Sequence, residues 1–183
     1  MDIKNKDELL AYLAREKRIK YVFFWGHTNK NKALVNKTCF SQWYPSSFEL
    51  DGVTYQTAEH YMMAEKARIF GNSELVSKII EATNPSKAKA LGRQVTGFTN
   101  EIWNRHRFEV VVRGNLAKFS QNKTMKEYLL STNRRVLVEA SPADNIWGIG
   151  LTEDHKDASN PFKWKGLNLL GFALMEVRKL LKE

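Results

Sequence analysis

Cysteine is nearly absent: Cys39 is the single thiol in 183 residues. It cannot form an intrachain disulfide or a thiolate zinc cluster, so a secreted disulfide scaffold and a zinc finger are both excluded, and a reducing compartment is expected. No long hydrophobic run exists either. The longest apolar stretch, 167–177, is interrupted by Asn168 and Glu176 and is too short to span a bilayer. The chain begins Met1, Asp2, Ile3, Lys4 with no apolar signal core, so a soluble cytoplasmic protein is expected, or a nuclear one if the source is eukaryotic. Also missing are a P-loop, a Gly-x-Gly-x-x-Gly after a strand and a His-Glu-x-x-His, and with them the usual signatures of nucleoside triphosphate, dinucleotide and zinc-protease chemistry. The four histidines, His27, His60, His106 and His155, share no ligand-like spacing, so metal catalysis is not expected.

Acids are the scarcer charge, with 20 Asp and Glu against 29 Lys and Arg, a formal net charge of +9. The excess is N-terminal: residues 1–38 hold nine basic and four acidic residues. Such a surface attracts polyanions through counterion release, which admits nucleic acid or phosphorylated ligands as partners. The bland alternative is a solvated helix and a basic loop. At this length one core buries roughly 70% of the surface that the unfolded chain exposes, and there is no repeat, low-complexity tract or linker.

Leu9, Leu10, Leu13 and Ala14 predict an amphipathic helix over 7–17, within a basic extension covering 1–20. A strand over 21–25 and a polar loop over 27–38 follow. Asp51 and Gly52, between the β-prone runs 48–50 and 53–55, carry the turn chemistry of a tight hairpin. Thr57 offers an N-cap and Gly71 with Asn72 a stop, framing a helix over 58–70. Ser73 can cap a helix to about 82, Asn84 with Pro85 starts another, and Thr99 opens a long one to about 119. Thr124 with Glu127 forms a capping-box pattern. Residues 135–140 alternate as a strand, with Val136 and Val138 on one face and Leu137 and Glu139 on the other. A final helix over 167–182 buries Leu170, Leu174, Val177 and Leu181. The economical architecture is a predominantly helical α+β domain with a few short strands and one hairpin.

Some acids, amines and aromatics stand where a core would not ask for them. Glu59 and Lys66 lie seven residues apart, about two helical turns, and so project from nearly one face. Beside Met62 and Met63, both groups would be partly desolvated, which shifts pKa values and suits proton transfer or nucleophilic attack. A surface acid and a surface lysine are the alternative. Glu139 sits in an apolar strand, and Asp144 precedes Trp147, Gly148, Ile149 and Gly150, a turn whose amides could approach an anion while the indole stacks on a base or sugar. A tight turn anchored by a core tryptophan reads equally well. Trp103 with Arg107 one turn later repeats the pairing of aromatic and cation, or is plain helix packing. Cys39 reads as a buried inert thiol rather than a nucleophile.

Ordered blocks across 21–183 resemble the NADAR domain, the YbiA-like family of N-glycosidases. They are FFWGH (23–27), FSQWYPSSF (40–48), TAEHYMMAEKA (57–67), LGRQV (91–95), AKFSQN (117–122), VEASPADNIWGIG (138–150), NPFKW (160–164) and GLNLLGFALMEVR (166–178). The resemblance implies hydrolysis of the bond between ribose C1 and nitrogen, with no metal or redox cofactor. It implies two substrate groups: ADP-ribose attached to guanine in DNA, and ribosylamino-pyrimidine phosphates of early riboflavin synthesis. Carried over block by block, the catalytic positions fall on Glu59, Lys66, Glu139 and Asp144. The family's aromatic site positions fall on Trp103 and Trp147, and with Phe24, Trp25, Gly26, Arg107, Gly148, Gly150 and Asn168 these are the expected substrate-binding residues. A noncatalytic ADP-ribose or NAD binding module is the reading from another class. The chain departs from the family in its basic first helix and in the loop with Lys30, Lys32 and Lys37. With Lys17, Arg18 and Lys20, these residues tilt the expected partner toward ADP-ribosylated nucleic acid and away from a free ribosylamino-nucleotide.

Overall fold

The computed structural model describes residues 2–15, 18–29, 31 and 34–183. In chain order the elements are α1 (Lys6–Arg15), β1 (Tyr21–Phe24), β2 (Phe48–Leu50), β3 (Val53–Tyr55), α2 (Ala58–Ile69), α3 (Ser73–Ile80), α4 (Pro85–Gly92), α5 (Asn100–Gln121), α6 (Lys123–Ser131), β4 (Val136–Glu139) and α7 (Leu169–Leu180). Short 3-10 helices cover Lys37–Phe40 and Pro161–Lys163. The fold class is α+β and helix-rich, as the sequence predicts. The chain forms two compact units, one from residues 1–41 and 124–183, the other from 42–123.

The first unit is organised by a pairing the sequence does not announce. β1 and β4 run parallel, Tyr21 opposite Val136 and Phe24 opposite Glu139. Val136, Leu137 and Val138 are all buried, so the predicted alternation of an inner and an outer face fails: a parallel pair covered on both sides wants apolar residues on both. α7 packs on β4 and buries Leu170, Phe172, Ala173, Leu174, Met175 and Val177, more than the predicted stripe, while Leu181 falls at the half-exposed C-cap. Gly171 makes this packing fit, since a Cβ there would stand 2.1 Å from the Leu137 carbonyl oxygen. α1 belongs to the same unit. Leu9 is buried, and the Lys6 ammonium donates to the Trp164 carbonyl at 2.8 Å.

The second unit wraps α3, α4 and α5 around α2. Thr57 accepts from the His60 amide and caps α2, Asn84 caps α4 through the Lys87 amide, and Thr99 caps α5 through the Ile102 amide, each an orphan donor satisfied by a side-chain oxygen. Two predicted caps shift. Asn72, not Ser73, holds the cap position of α3, its side chain turned to Thr96 and Phe70. α6 begins at Lys123, which puts Thr124 inside the first turn. The hairpin turns through Asp51 and Gly52, both at positive φ, the backbone of the predicted tight turn. Gln121 of α5 fastens the hairpin by exchanging hydrogen bonds with the Glu49 backbone at 2.7 and 2.8 Å.

Candidate active site

The predicted site residues divide between the units, each forming its own group. In the first unit they gather at the C-terminal ends of β1 and β4, where parallel strands usually present ligand sites. Phe24 is fully buried opposite Glu139, and its carbonyl accepts from the Ala140 amide at 2.9 Å. The chain then leaves through Trp25, 57% exposed, and Gly26 at φ +75°.

Asn168 organises this end. It is fully buried in the left-handed region, φ 56°. Its Oδ1 accepts from the Glu139 amide and its Nδ2 donates to the Leu137 carbonyl, both at 2.9 Å. The side-chain amide thus pairs with the edge of β4 as another strand would. The Ile149 amide donates to the Glu139 carbonyl at 2.9 Å, so the Glu139 backbone is held from both sides. Asp144 Oδ1 accepts from the Ile146 and Trp147 amides at 2.8 and 2.7 Å, the turn geometry of a short acidic side chain. That carboxylate shapes the loop carrying the half-buried Trp147. Gly148 and Gly150 are buried, and a Cβ at Gly148 would lie 2.9 Å from the Glu139 carbonyl oxygen. Backbone crowding therefore requires glycine at 148 whether or not an anion binds there.

In the second unit Glu59 stands in the first turn of α2, where the helix dipole favours a negative charge. It is 2% exposed, and its amide donates to the Gln42 carbonyl at 3.0 Å. Lys66, two turns on, is about 10 Å further along the helix axis. Its ammonium donates to the Gly92 carbonyl at 2.9 Å and lies 4.2 Å from the Phe98 ring centre. Burial, then the neighbouring Arg93 charge, pulls its pKa below the ordinary lysine value. Lys66 thus caps the C-terminus of α4, so that nucleophilic use of the amine requires breaking this contact. On α5, Trp103 is buried and Arg107, one turn away, is half-buried, with desolvation lowering its pKa.

Three polar residues escaped the reading by spacing and lie buried in this unit. Asn115 Nδ2 donates to Gln42 Oε1 at 2.7 Å and to the Val111 carbonyl at 2.9 Å. Lys118 is fully buried, its ammonium 5.2 Å from the Phe119 ring centre and 5.8 Å from that of Tyr44. A signal was present, because 111, 115 and 118 follow the helical core period, which places an amide and an amine on an apolar stripe. An interior carboxylate and an interior amine in one unit are costly, as Glu59 and Lys118 each give up hydration.

Beside Glu59, His60 is locked in one tautomer. Its Nε2–H donates to the Ala82 carbonyl at 3.0 Å, which leaves Nδ1 to accept from the Thr57 hydroxyl at 2.8 Å. Desolvation lowers its pKa below 6.5. Below that value the unfolded chain binds a proton that the folded chain resists, so this contribution to stability is complete above pH 6.5 and is lost as pH falls. The thermal midpoint is expected to drop between pH 7 and 5, and His60→Gln to melt lower at pH 7 with a shallower acid slope. An unchanged slope in a differential scanning series would remove His60 as the source. Among the described residues, no group of three His, Cys, Asp or Glu could hold a metal ion, and no helix is long and apolar enough to cross a membrane.

Known proteins are similar to this chain over most of its length. An N-glycosidase of Acanthamoeba polyphaga mimivirus is 47% identical over 87% of this chain and 95% of its own. An N-glycosidase of Nostoc punctiforme is 32% identical over 77% of this chain and 83% of its own. The solution structure of YbiA from E. coli superposes with a TM-score of 0.68 at 26% identity, covering 89% of this chain and 85% of that one. The profile of the NADAR domain matches residues 23–182, spanning both units, and the chain belongs to the NADAR domain family.

Proposed function

We propose that the protein is an N-glycosidase that hydrolyses the bond between ribose C1 and nitrogen in ribosylated amino heterocycles, with ADP-ribose on guanine in DNA as the preferred substrate. The observation that carries this reading is the Glu59 carboxylate, sunk to 2% exposure at the start of α2 in a chain whose relatives are N-glycosidases. Cleavage at C1 develops positive charge on the sugar, and a preorganised carboxylate in a dry site stabilises it or activates the attacking water. Trp103 and Trp147 are assigned to the heterocycle or sugar, and Arg107 with the Gly148 and Gly150 amides to phosphate. Asp144 shapes the loop that carries Trp147, Gly148 and Gly150, and with Glu139 it is assigned as a further acid of the reaction.

Lys66 has a second role in this proposal. Lys66 passes its proton to the Glu59 carboxylate, its nitrogen then forms a bond to C1 of the ring-opened sugar, and the bond from C1 to the heterocycle's amino nitrogen breaks as Glu59 returns the proton to that nitrogen. Water then hydrolyses the imine and frees the lysine. Borohydride under turnover should trap a sugar adduct on the wild-type protein, and Lys66→Ala should abolish it. Absence of an adduct in the wild type returns Lys66 to the α4 cap, whereas an adduct surviving Lys66→Ala, mapped by mass spectrometry, assigns the amine to Lys118.

One relative favours a second substrate. A riboflavin biosynthesis protein, PYRR, of Zea mays is 34% identical over 76% of this chain, a segment that is 22% of that protein. Incubation with ADP-ribosylated guanine DNA and, separately, with a phosphoribosylamino-pyrimidine, followed by mass spectrometry of released base and sugar, separates the two. Faster release from the pyrimidine would reverse the preference. Binding of ADP-ribose without release from either would leave a binding module.

The basic residues that first suggested DNA fare differently. Lys17, Lys30 and Lys32 lie outside the described residues, and Lys37 pairs with Glu153 at 2.6 Å.

A further inference from the structure

We propose that the first unit carries a second binding site, a basic cleft that holds the phosphodiester backbone of a nucleic-acid strand at the end of the β1–β4 sheet opposite the candidate active-site residues. This inference deepens the proposed function by adding a partner surface, and it is tested by binding alone.

The cleft has a volume of about 490 Å³ and is lined by Tyr12, Arg18, Ile19, Lys20, Asn133, Arg134 and Arg135. It joins two stretches more than a hundred residues apart in sequence: residues 18–20, just before β1, and the turn between α6 and β4. The parallel register brings them together. Tyr21 is paired with Val136, and the Val136 amide donates to the Lys20 carbonyl at 2.9 Å, so Lys20 and Arg135, the residues preceding the two strands, stand side by side at a strand spacing of about 4.8 Å. Asn133, at φ 53°, turns the chain so that Arg134 and Arg135 follow directly. Beneath them the buried Arg178 donates to the Arg135 carbonyl at 2.9 Å and to the Thr132 hydroxyl at 2.7 Å, adding a third guanidinium under the same turn.

Like charges held in register repel, and among the described residues no acid neutralises these. Arg18, Lys20, Arg134 and Arg135 are all exposed. Among the described residues no acidic side chain lines the cleft, and none of the four takes part in an ion pair. Exposed cations elsewhere do find acids: Lys37 pairs with Glu153, Arg113 with Asp51 and Lys179 with Asp2. Uncompensated cations converging on a concavity select an anion, and three of the four are arginines, whose planar fork matches phosphate oxygens two at a time. Half-buried Tyr12 flanks them with a ring on which a base can stack.

A nucleic acid fits better than the alternatives. Ile19, half-buried, is the one aliphatic side chain that lines the cleft, and the exposed large apolar side chains, Trp25 and Phe162 among them, lie elsewhere, whereas a membrane-surface site needs an apolar face to insert. The sheet sets the distance. Three residue steps along β1 separate the Tyr21 and Phe24 ends by about 10 Å, so the cleft lies beyond a small ribosylamine bound at Glu139. A polymer carrying a phosphate about every 3.4 Å of its rise extends past both ends.

The test is fluorescence anisotropy of an unmodified, fluorescein-labelled, mixed-sequence single-stranded DNA 20-mer, titrated with the full chain at 50 to 200 mM KCl. Four phosphate contacts on a single strand predict a log-log salt slope of about −3 for the wild type. Replacing all four cations, Arg18→Gln, Lys20→Gln, Arg134→Gln and Arg135→Gln, should flatten that slope and weaken binding at 50 mM by about a hundredfold. Each half-set, Arg18→Gln with Lys20→Gln or Arg134→Gln with Arg135→Gln, should remove about half the slope, which guards against one variant failing to fold. Lys78→Gln with Lys87→Gln, in the other unit, should leave it unchanged. A salt slope that persists in both half-sets, or binding to phosphatidylserine vesicles with none to the 20-mer, overturns the proposal. Hydrolysis of a free ribosylamino-nucleotide by the fourfold variant should equal wild type. If the wild type hydrolyses nothing yet its 20-mer binding still depends on these four residues, the functional proposal fails and the cleft stands.

Discussion

Glu59→Gln is expected to lower turnover of an ADP-ribosylated guanine substrate by about 10² to 10³-fold while leaving the fold intact. The substitution keeps the shape of the side chain and part of its hydrogen bonding, and removes only the charge. The Glu59 amide still donates to the Gln42 carbonyl, and Thr57 still caps α2. Because Glu59 is 2% exposed, its ionised form has little water to stabilise it. The discriminating measurement pairs kcat with circular dichroism at the assay temperature: a fall in kcat in a variant with native helical content supports the carboxylate, while wild-type turnover in a folded variant removes Glu59 from the chemistry.

Gly171→Ala is expected to destabilise the protein by about 3 kcal/mol, the upper range for forcing a methyl group into a packed interior. The new Cβ would fall 2.1 Å from the Leu137 carbonyl oxygen and 2.5 Å from Asn168 Nδ2. Leu137 is backbone within β4, and Asn168 is the clamp on the edge of that strand. Neither can withdraw without breaking a buried hydrogen bond. At this chain length the thermal midpoint should drop by about 6 to 12 °C. Activity should fall at temperatures where the variant is still folded, because displacing Asn168 releases the Glu139 amide. A midpoint within two degrees of wild type, by calorimetry, would show that α7 can slide on β4 and that the clamp is not needed.

Much of the fold was legible along the chain because local chemistry decided it. Thr57, Asn84 and Thr99 each precede a helix and each caps it, since a side-chain oxygen beside an orphan amide needs nothing from the rest of the molecule. Asp51 and Gly52 turn the hairpin for the same reason. The readings that failed depended on distant partners. Val136 and Leu137 were assigned to opposite faces of a strand, yet both are buried, because the neighbour of β4 is β1 from the other end of the sequence and α7 covers a further side.

The candidate site divides along the same line. Glu59 and the block around Trp147 were found in the sequence because an acid among apolar neighbours, and glycines beside a tryptophan, are conspicuous locally. What each residue touches was not legible. Lys66, read as a reactive amine, rests on the Gly92 carbonyl twenty-six residues away, and Asn168, marked only by family likeness, proves to be the strap that holds Glu139. Lys118 and Asn115 passed as ordinary polar helix residues, since burial is a property of packing. By itself the sequence determined the helices, the caps at Thr57, Asn84 and Thr99, the hairpin and the family. Tertiary structure alone decided the parallel strand pair, the clamp on Glu139, the resting place of Lys66 and the convergence of four cations on one cleft. Those features join segments far apart in the chain, and their energies come from desolvation, close backbone approach and like-charge repulsion, none of which exists before the segments meet.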